Sequence, residues 1–256
     1  MCTLVLAWRV FDDAPVVVAA NRDEATGRSS EPPSRRGGGE DPTFVAPRDA
    51  EAGGTWIGYN ERGLYVGLAN RWVGGLAGER SRGLLVDDAL RQPGAEAAVR
   101  LIERAVERDE YEGFAAVLAD DRGAFLVEWD GRLAVVRLDP GVHVIVNVGA
   151  ALGGGGATRD RFFVPPDRPE VGERQAENAR RVRGALVPEP GETATAWLDR
   201  AAAVLADHEF GVCVHGDGYG TRSSSLIALG EEGTATYRFA DGPPCRTAYV
   251  AVTEGL

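Results

Sequence analysis

A cysteine at the second position is the first group able to do chemistry. Only Met1 precedes Cys2, and cysteine is small enough for methionine aminopeptidase to remove that methionine. Removal would leave a free α-amine and a thiol on one residue. An α-amine titrates at about 7.7–8.0, so it can accept the thiol proton near neutral pH. Nucleophile and base then coincide, and no separate histidine is required. The competing reading is a buried cysteine opening an edge strand, since free cysteine is among the most buried side chains. A second group is Asn21-Arg22-Asp23-Glu24, four polar residues directly after the apolar run Val16–Ala20. A guanidinium beside Cys2 would favour thiolate, and a carboxylate could hold and orient an ammonium. Otherwise Arg22 and Asp23 form a strand-end surface pair, which contributes little.

These residues need elements to bring them together. Residues 2–10 and 15–22 are short, β-branched runs parted by Asp12-Asp13-Ala14-Pro15, the pattern of a hairpin. A hairpin lays the start of one strand beside the end of the other, which sets Arg22 and Asp23 next to Cys2. Residues 25–42 are rich in Ser, Pro, Arg and Gly and predict a loop long enough to act as a lid. Strands are expected at 43–46, 55–59 and 64–70, the last two joined by a turn at Asn60-Glu61-Arg62-Gly63. Three- and four-residue apolar spacing then predicts helices over 81–91 and 95–108, split by Pro93-Gly94. Strand patterns return at 113–119, 124–129, 133–138 and 142–148, followed by a glycine-rich loop over 150–158. Helices at 172–187 and 194–206 precede strands near 211–215, 222–229, 235–239 and 247–252. Helix pairs inserted between antiparallel strand groups predict an α+β fold, a four-layer αββα sandwich of two antiparallel sheets covered by helices. No linker divides residues 1–256, so one domain is expected.

Composition narrows the chemistry. The chain has 28 Lys+Arg against 39 Asp+Glu, a formal charge of -11, and no lysine. So acidic a surface repels phosphate backbones, which argues against nucleic-acid binding. Without lysine there is no Walker A lysine and no Schiff-base nucleophile. Cys2, Cys213 and Cys245 form neither an even disulfide framework nor a C-x-x-C pair, which fits a reducing, cytoplasmic setting. No apolar run is long enough to span a bilayer, and the start lacks secretory-signal features. His208, Glu209 and His215 have no i,i+4 histidine pair and no cysteine at ligand spacing, so no metal is expected. Cys213, between Val212 and Val214, reads as core. Gly153–Gly156 lacks the spacing of a phosphate cradle. Gly53-Gly54-Thr55-Trp56 could admit a ligand to the backbone with Trp56 as an aromatic wall, or could be a turn feeding a strand with a core tryptophan.

Several segments together resemble the NRDE family, also called the transport and Golgi organisation protein 2 family. They are Met1-Cys2-Thr3, Ala20-Asn21-Arg22-Asp23-Glu24, Gly53-Gly54-Thr55-Trp56-Ile57-Gly58, Gly67-Leu68-Ala69-Asn70, Arg82-Gly83-Leu84-Leu85-Val86 and Gly218-Tyr219-Gly220-Thr221-Arg222. The resemblance implies an N-terminal nucleophile (Ntn) hydrolase fold, similar to choloylglycine hydrolases and penicillin V acylases. It implies a Cys2 nucleophile after Met1 removal, acting on a linear, non-peptide amide C–N bond of a small acylated substrate. By the same likeness Asn60-Glu61-Arg62-Gly63-Leu64 leads to Asn70 as oxyanion donor, and Asn147 is the nearest counterpart of a second asparagine. Asp23 and Arg22 would order the terminus, while Asn21 and Trp56 would meet substrate. The acylases carry an arginine where Ala20 stands here, and Arg22 is a partial replacement. A later arginine is also expected, with Arg222 favoured over Arg159 and Arg161. No cofactor is implied for hydrolysis. The alternative is a non-catalytic protein handling haem, lipid or acyl-CoA; lacking C-x-x-C-H, it would hold any haem non-covalently.

Overall fold

The computed structural model describes residues 2–154, 159–230 and 233–253, without the side chain of Arg159. Met1 and residues 155–158 of the glycine-rich segment lie outside the described residues. The chain divides into two compact units: Met1–Gly27 with Asp139–Val252, and Arg28–Leu138 with Thr253–Leu256.

The first unit opens with β1 (Thr3–Trp8) and β2 (Val16–Ala25). The second contains β3 (Ser30–Gly38), β4 (Asp41–Asp49), β5 (Ile57–Asn60) and β6 (Tyr65–Asn70). It continues with α1 (Arg82–Leu90), α2 (Ala95–Arg108), β7 (Phe114–Ala119), β8 (Ala124–Trp129) and β9 (Leu133–Arg137). The chain then re-enters the first unit with β10 (Gly141–Val146), β11 (Gly149–Leu152), β12 (Arg159–Phe162), α3 (Pro169–Ala185) and α4 (Ala194–Ala206). A 3-10 turn at His208–Phe210 leads to β13 (Tyr219–Leu229), β14 (Ala235–Ala240) and β15 (Val250–Ala251).

Each unit therefore carries one antiparallel sheet and one pair of helices, the α+β class expected. In the first unit the order is β12-β11-β10-β1-β2-β13-β14-β15, so β1 is central between β10 and β2. Every residue of β1 is buried, which accounts for a strand without polar alternation. α3 packs on β10 and β11, and α4 on β2 and β13. Trp197 of α4 is wholly buried against Phe11 and donates its indole N–H to the carbonyl of Leu186 at 2.9 Å. In the second unit the order is β3-β4-β5-β6-β7-β8-β9, with α1 and α2 packed on it. Leu85, Leu90, Ile102, Tyr111 and Phe114 anchor its core. The Asn60–Gly63 turn forms as expected, with Gly63 at φ 77° and Asn60 Oδ1 accepting from the Arg62 and Leu64 amides.

The lid expected over 25–42 is corrected: most of it is β3, laddered to β4. An edge strand uses only one row of hydrogen bonds, so it tolerates Pro32 and Pro33, which fall in a register irregularity between Glu31 and Ser34. Its polarity imitates a loop. The strand expected at 211–215 is also absent. Gly211 turns at φ 67°, and Val214 instead exchanges bonds with Thr221. Part of the predicted glycine-rich loop is β11, and β12 carries too little apolar signal to be read.

Candidate active site

Register in the first sheet fixes the neighbours of Cys2. Thr3 pairs with Val146 on one side and Asn21 on the other. Cys2 lies one step beyond both ladders, flanked by Asn147 and the Arg22–Asp23 end of β2. Its backbone N–H donates to Asn147 Oδ1 at 3.1 Å, and its Sγ lies 3.6 Å from the carbonyl oxygen of Asp23. Cys2 as a whole residue is half-buried.

Asn147 occupies the tight turn between β10 and β11, where Val146 pairs with Gly149. Gly149, at φ 125°, is required there: a Cβ would stand 1.9 Å from the Arg161 carbonyl oxygen. Gln175 of α3 donates Nε2 to Asn147 Oδ1 at 3.4 Å, so helix and terminus converge on one acceptor.

Asp23 is nearly enclosed. Its Oδ1 accepts from Thr221 Oγ1 at 2.5 Å, and Thr221 Oγ1 in turn accepts from the Val214 N–H at 2.8 Å. The Asp23 carbonyl also accepts from the Tyr219 hydroxyl at 3.2 Å. Arg22 is 6% exposed and sits 3.8 Å from Glu24. β13 runs beside β2 with a bulge: Thr221 faces Asp23, Ser223 faces Arg22, and Arg222 is the extra residue. A bulge re-aims the side chain it carries. Arg222 Nε has no hydrogen-bond partner among the described residues.

The electrostatics oppose one another. Burial pushes the Cys2 thiol above its ordinary range, the Asp23 carboxylate adds to that, and Arg22 pulls it back. Burial likewise raises Asp23, partly offset by the hydrogen bond from Thr221. Tyr219 is raised by burial first, then by the nearby charges of Cys2 and Asp23. Neither thiolate nor carboxylate is comfortable here without a positive group at the chain terminus.

The remaining sequence candidates are placed as follows. Asn21 donates Nδ2 to the carbonyls of Leu205 and Val212, at 3.0 and 2.9 Å, tying β2 to the end of α4. Arg161 is exposed on β12, three strands from β1. Arg159 is on the same strand. Asn70 ends β6 in the second unit and is half-buried opposite Phe114. Trp56 is half-buried just before β5, also in the second unit. The glycines preceding it have a packing role: a Cβ on Gly54 would lie 2.1 Å from the backbone of Gly83, whose carbonyl accepts from the Thr55 N–H. Two of the segments that carry the family resemblance thus touch each other.

Thr221, Tyr219 and Gln175 were not anticipated as site residues. The first two stand in the Gly218–Arg222 segment beside Arg222. Gln175 shares the buried face of α3 with Gly172, Ala176, Ala179 and Val182. A polar residue on an otherwise apolar stripe was the available signal.

The fold is that of Ntn-hydrolase acylases. Penicillin V acylase from Agrobacterium tumefaciens matches with a TM-score of 0.58 at 16% identity, over 99% of this chain and 87% of that one. A mutant conjugated bile acid hydrolase from Clostridium perfringens gives 0.56 at 11%, over 100% and 94%. The Caenorhabditis elegans ortholog of N-acylethanolamine-hydrolyzing acid amidase gives 0.56 at 14%, over 89% and 92%. The model of the Transport and Golgi organisation 2 family matches residues 1–152, and the chain belongs to that family. No curated protein matches the sequence. No helix among the described residues is long and apolar enough to cross a membrane.

Proposed function

We propose that the protein is a cysteine amidohydrolase acting on the linear amide bond of a small acylated substrate. The observation that carries this reading is the junction at Cys2, where one β-sheet brings its amide to Asn147, its sulfur to the Asp23 carbonyl, and the Thr221–Arg222 bulge to the next strand. With Met1 removed, the Cys2 amine takes the thiol proton and the thiolate attacks the acyl carbon. The ammonium returns its proton to the departing amine, leaving a thioester. Water then attacks, gives its proton to the same α-amine, and releases the acid. Asn147 orients the amine, Asp23 and Arg22 set its charge and that of the thiol, and Arg222 meets the substrate. No metal or other cofactor enters these steps.

The structural neighbours suggest the first substrates: penicillin V, conjugated bile acids and N-acylethanolamines. The test is hydrolysis of such acyl amides by native protein and by Cys2→Ala, with intact mass measured on both. Turnover by the native protein, loss of Met1 and a dead Cys2→Ala variant are expected. Equal turnover by both proteins, or a retained Met1, overturns the proposal.

A further inference from the structure

We propose that His208, Cys213, His215 and Cys245 form a zinc site that clamps the segment leading into β13. Their four ligand atoms all lie within 4.8 Å of one another. Cys213 Sγ is 3.6 Å from His215 Nε2, which is 3.1 Å from Cys245 Sγ. The His208 and His215 rings stand 5.1 Å apart at 72°. Zinc bound tetrahedrally at about 2.3 Å to sulfur and 2.0–2.1 Å to nitrogen requires sulfur–nitrogen edges of about 3.6 Å. The four atoms therefore need only small side-chain adjustments to enclose the ion. Two thiolates and two imidazoles select zinc over magnesium or calcium, which take oxygen.

Sequence spacing conceals this set because Cys245 comes from far along the chain. Three ligands fall within 208–215, where the 3-10 turn and Gly211 fold the segment back. The fourth sits on a turn in which the Arg246 and Thr247 amides both donate to the Pro243 carbonyl. Cys213 is buried, whereas both histidines are exposed and Cys245 is half-buried, so the ion has a solvent path. The clamp also bears on the site at Cys2. Val214, between two ligands, exchanges hydrogen bonds with Thr221, and Thr221 holds Asp23.

Metal-stripped, reduced protein should bind one zinc per chain. With cobalt it should show thiolate-to-metal charge transfer and the intense bands of a tetrahedral ion. Cys245→Ser and His215→Ala, at solvent-reachable positions, should each weaken zinc by at least about 100-fold, the upper end of the loss caused by changing a group that only orients a ligand. Circular dichroism would verify that both remain folded. Cys2→Ala should bind as the native protein does. Reduced protein that binds no zinc, with or without a Cys213–Cys245 disulfide in air, overturns the proposal. Binding that survives Cys245→Ser also overturns it.

Discussion

Cys2 occupies a position where burial works against its reactivity and the two charged neighbours pull in opposite directions. Asp23 raises the thiol and Arg22 lowers it. Asp23→Asn should therefore move the pH profile of iodoacetamide labelling at Cys2 to lower pH, and Arg22→Gln should move it higher. Shifts in the same direction, or none, would remove the electrostatic role assigned to this pair. Asp23 carries a stability consequence as well. Its folded-state pKa lies above the unfolded value, so its ionisation opposes folding as pH rises through that window. Asp23→Asn should accordingly melt higher than native protein at neutral pH, with the difference shrinking in acid.

At the level of elements, the candidate site is a product of strand order. β10, β1, β2 and β13 are adjacent in one sheet, so residues 2, 22–23, 147 and 221–222 meet despite their separation in sequence. The bulge in β13 aligns Thr221 with Asp23 while leaving Arg222 outside the ladder. Thr221→Val conserves shape but removes the 2.5 Å hydrogen bond to Asp23. The loss should be about 1.5–3 kcal/mol, the range for bonds to charged groups, measurable by urea denaturation. Acyl-amide turnover should fall with it. An unchanged urea midpoint would show that this bond does not brace β2 against β13.

For the whole molecule, acid stability should depend on a histidine remote from the chemistry. His143 is buried on β10, with its ring nitrogen Nε2 2.9 Å from the Asp139 carbonyl, and burial pushes its pKa down to about 4. Because the folded pKa lies below the ordinary 6.5, its stabilising contribution is full above that pH and is lost as pH falls towards about 4. The shift corresponds to roughly 3 kcal/mol. His143→Gln keeps a donor and stays neutral, so its stability should fall less than that of native protein between pH 6.5 and 4. Parallel curves from urea midpoints would contradict this.

Local pattern determined much of the architecture on its own. The β1–β2 hairpin, the Asn60–Gly63 turn and all four helices were readable because their periodicity and turn residues act over a few positions. Adjacency of Cys2 to Arg22 and Asp23 followed from the hairpin alone. Tertiary structure decided what no short window contains. β3 was hidden because an edge strand may be polar and proline-bearing. Thr221 and Gln175 join the candidate site only through long-range pairing with β2 and the β10–β11 turn. The gathering of Cys245 with His208, Cys213 and His215 likewise waits on the return of a distant turn. Contacts between remote segments depend on sheet order and register, and these arise from the packing of the whole chain.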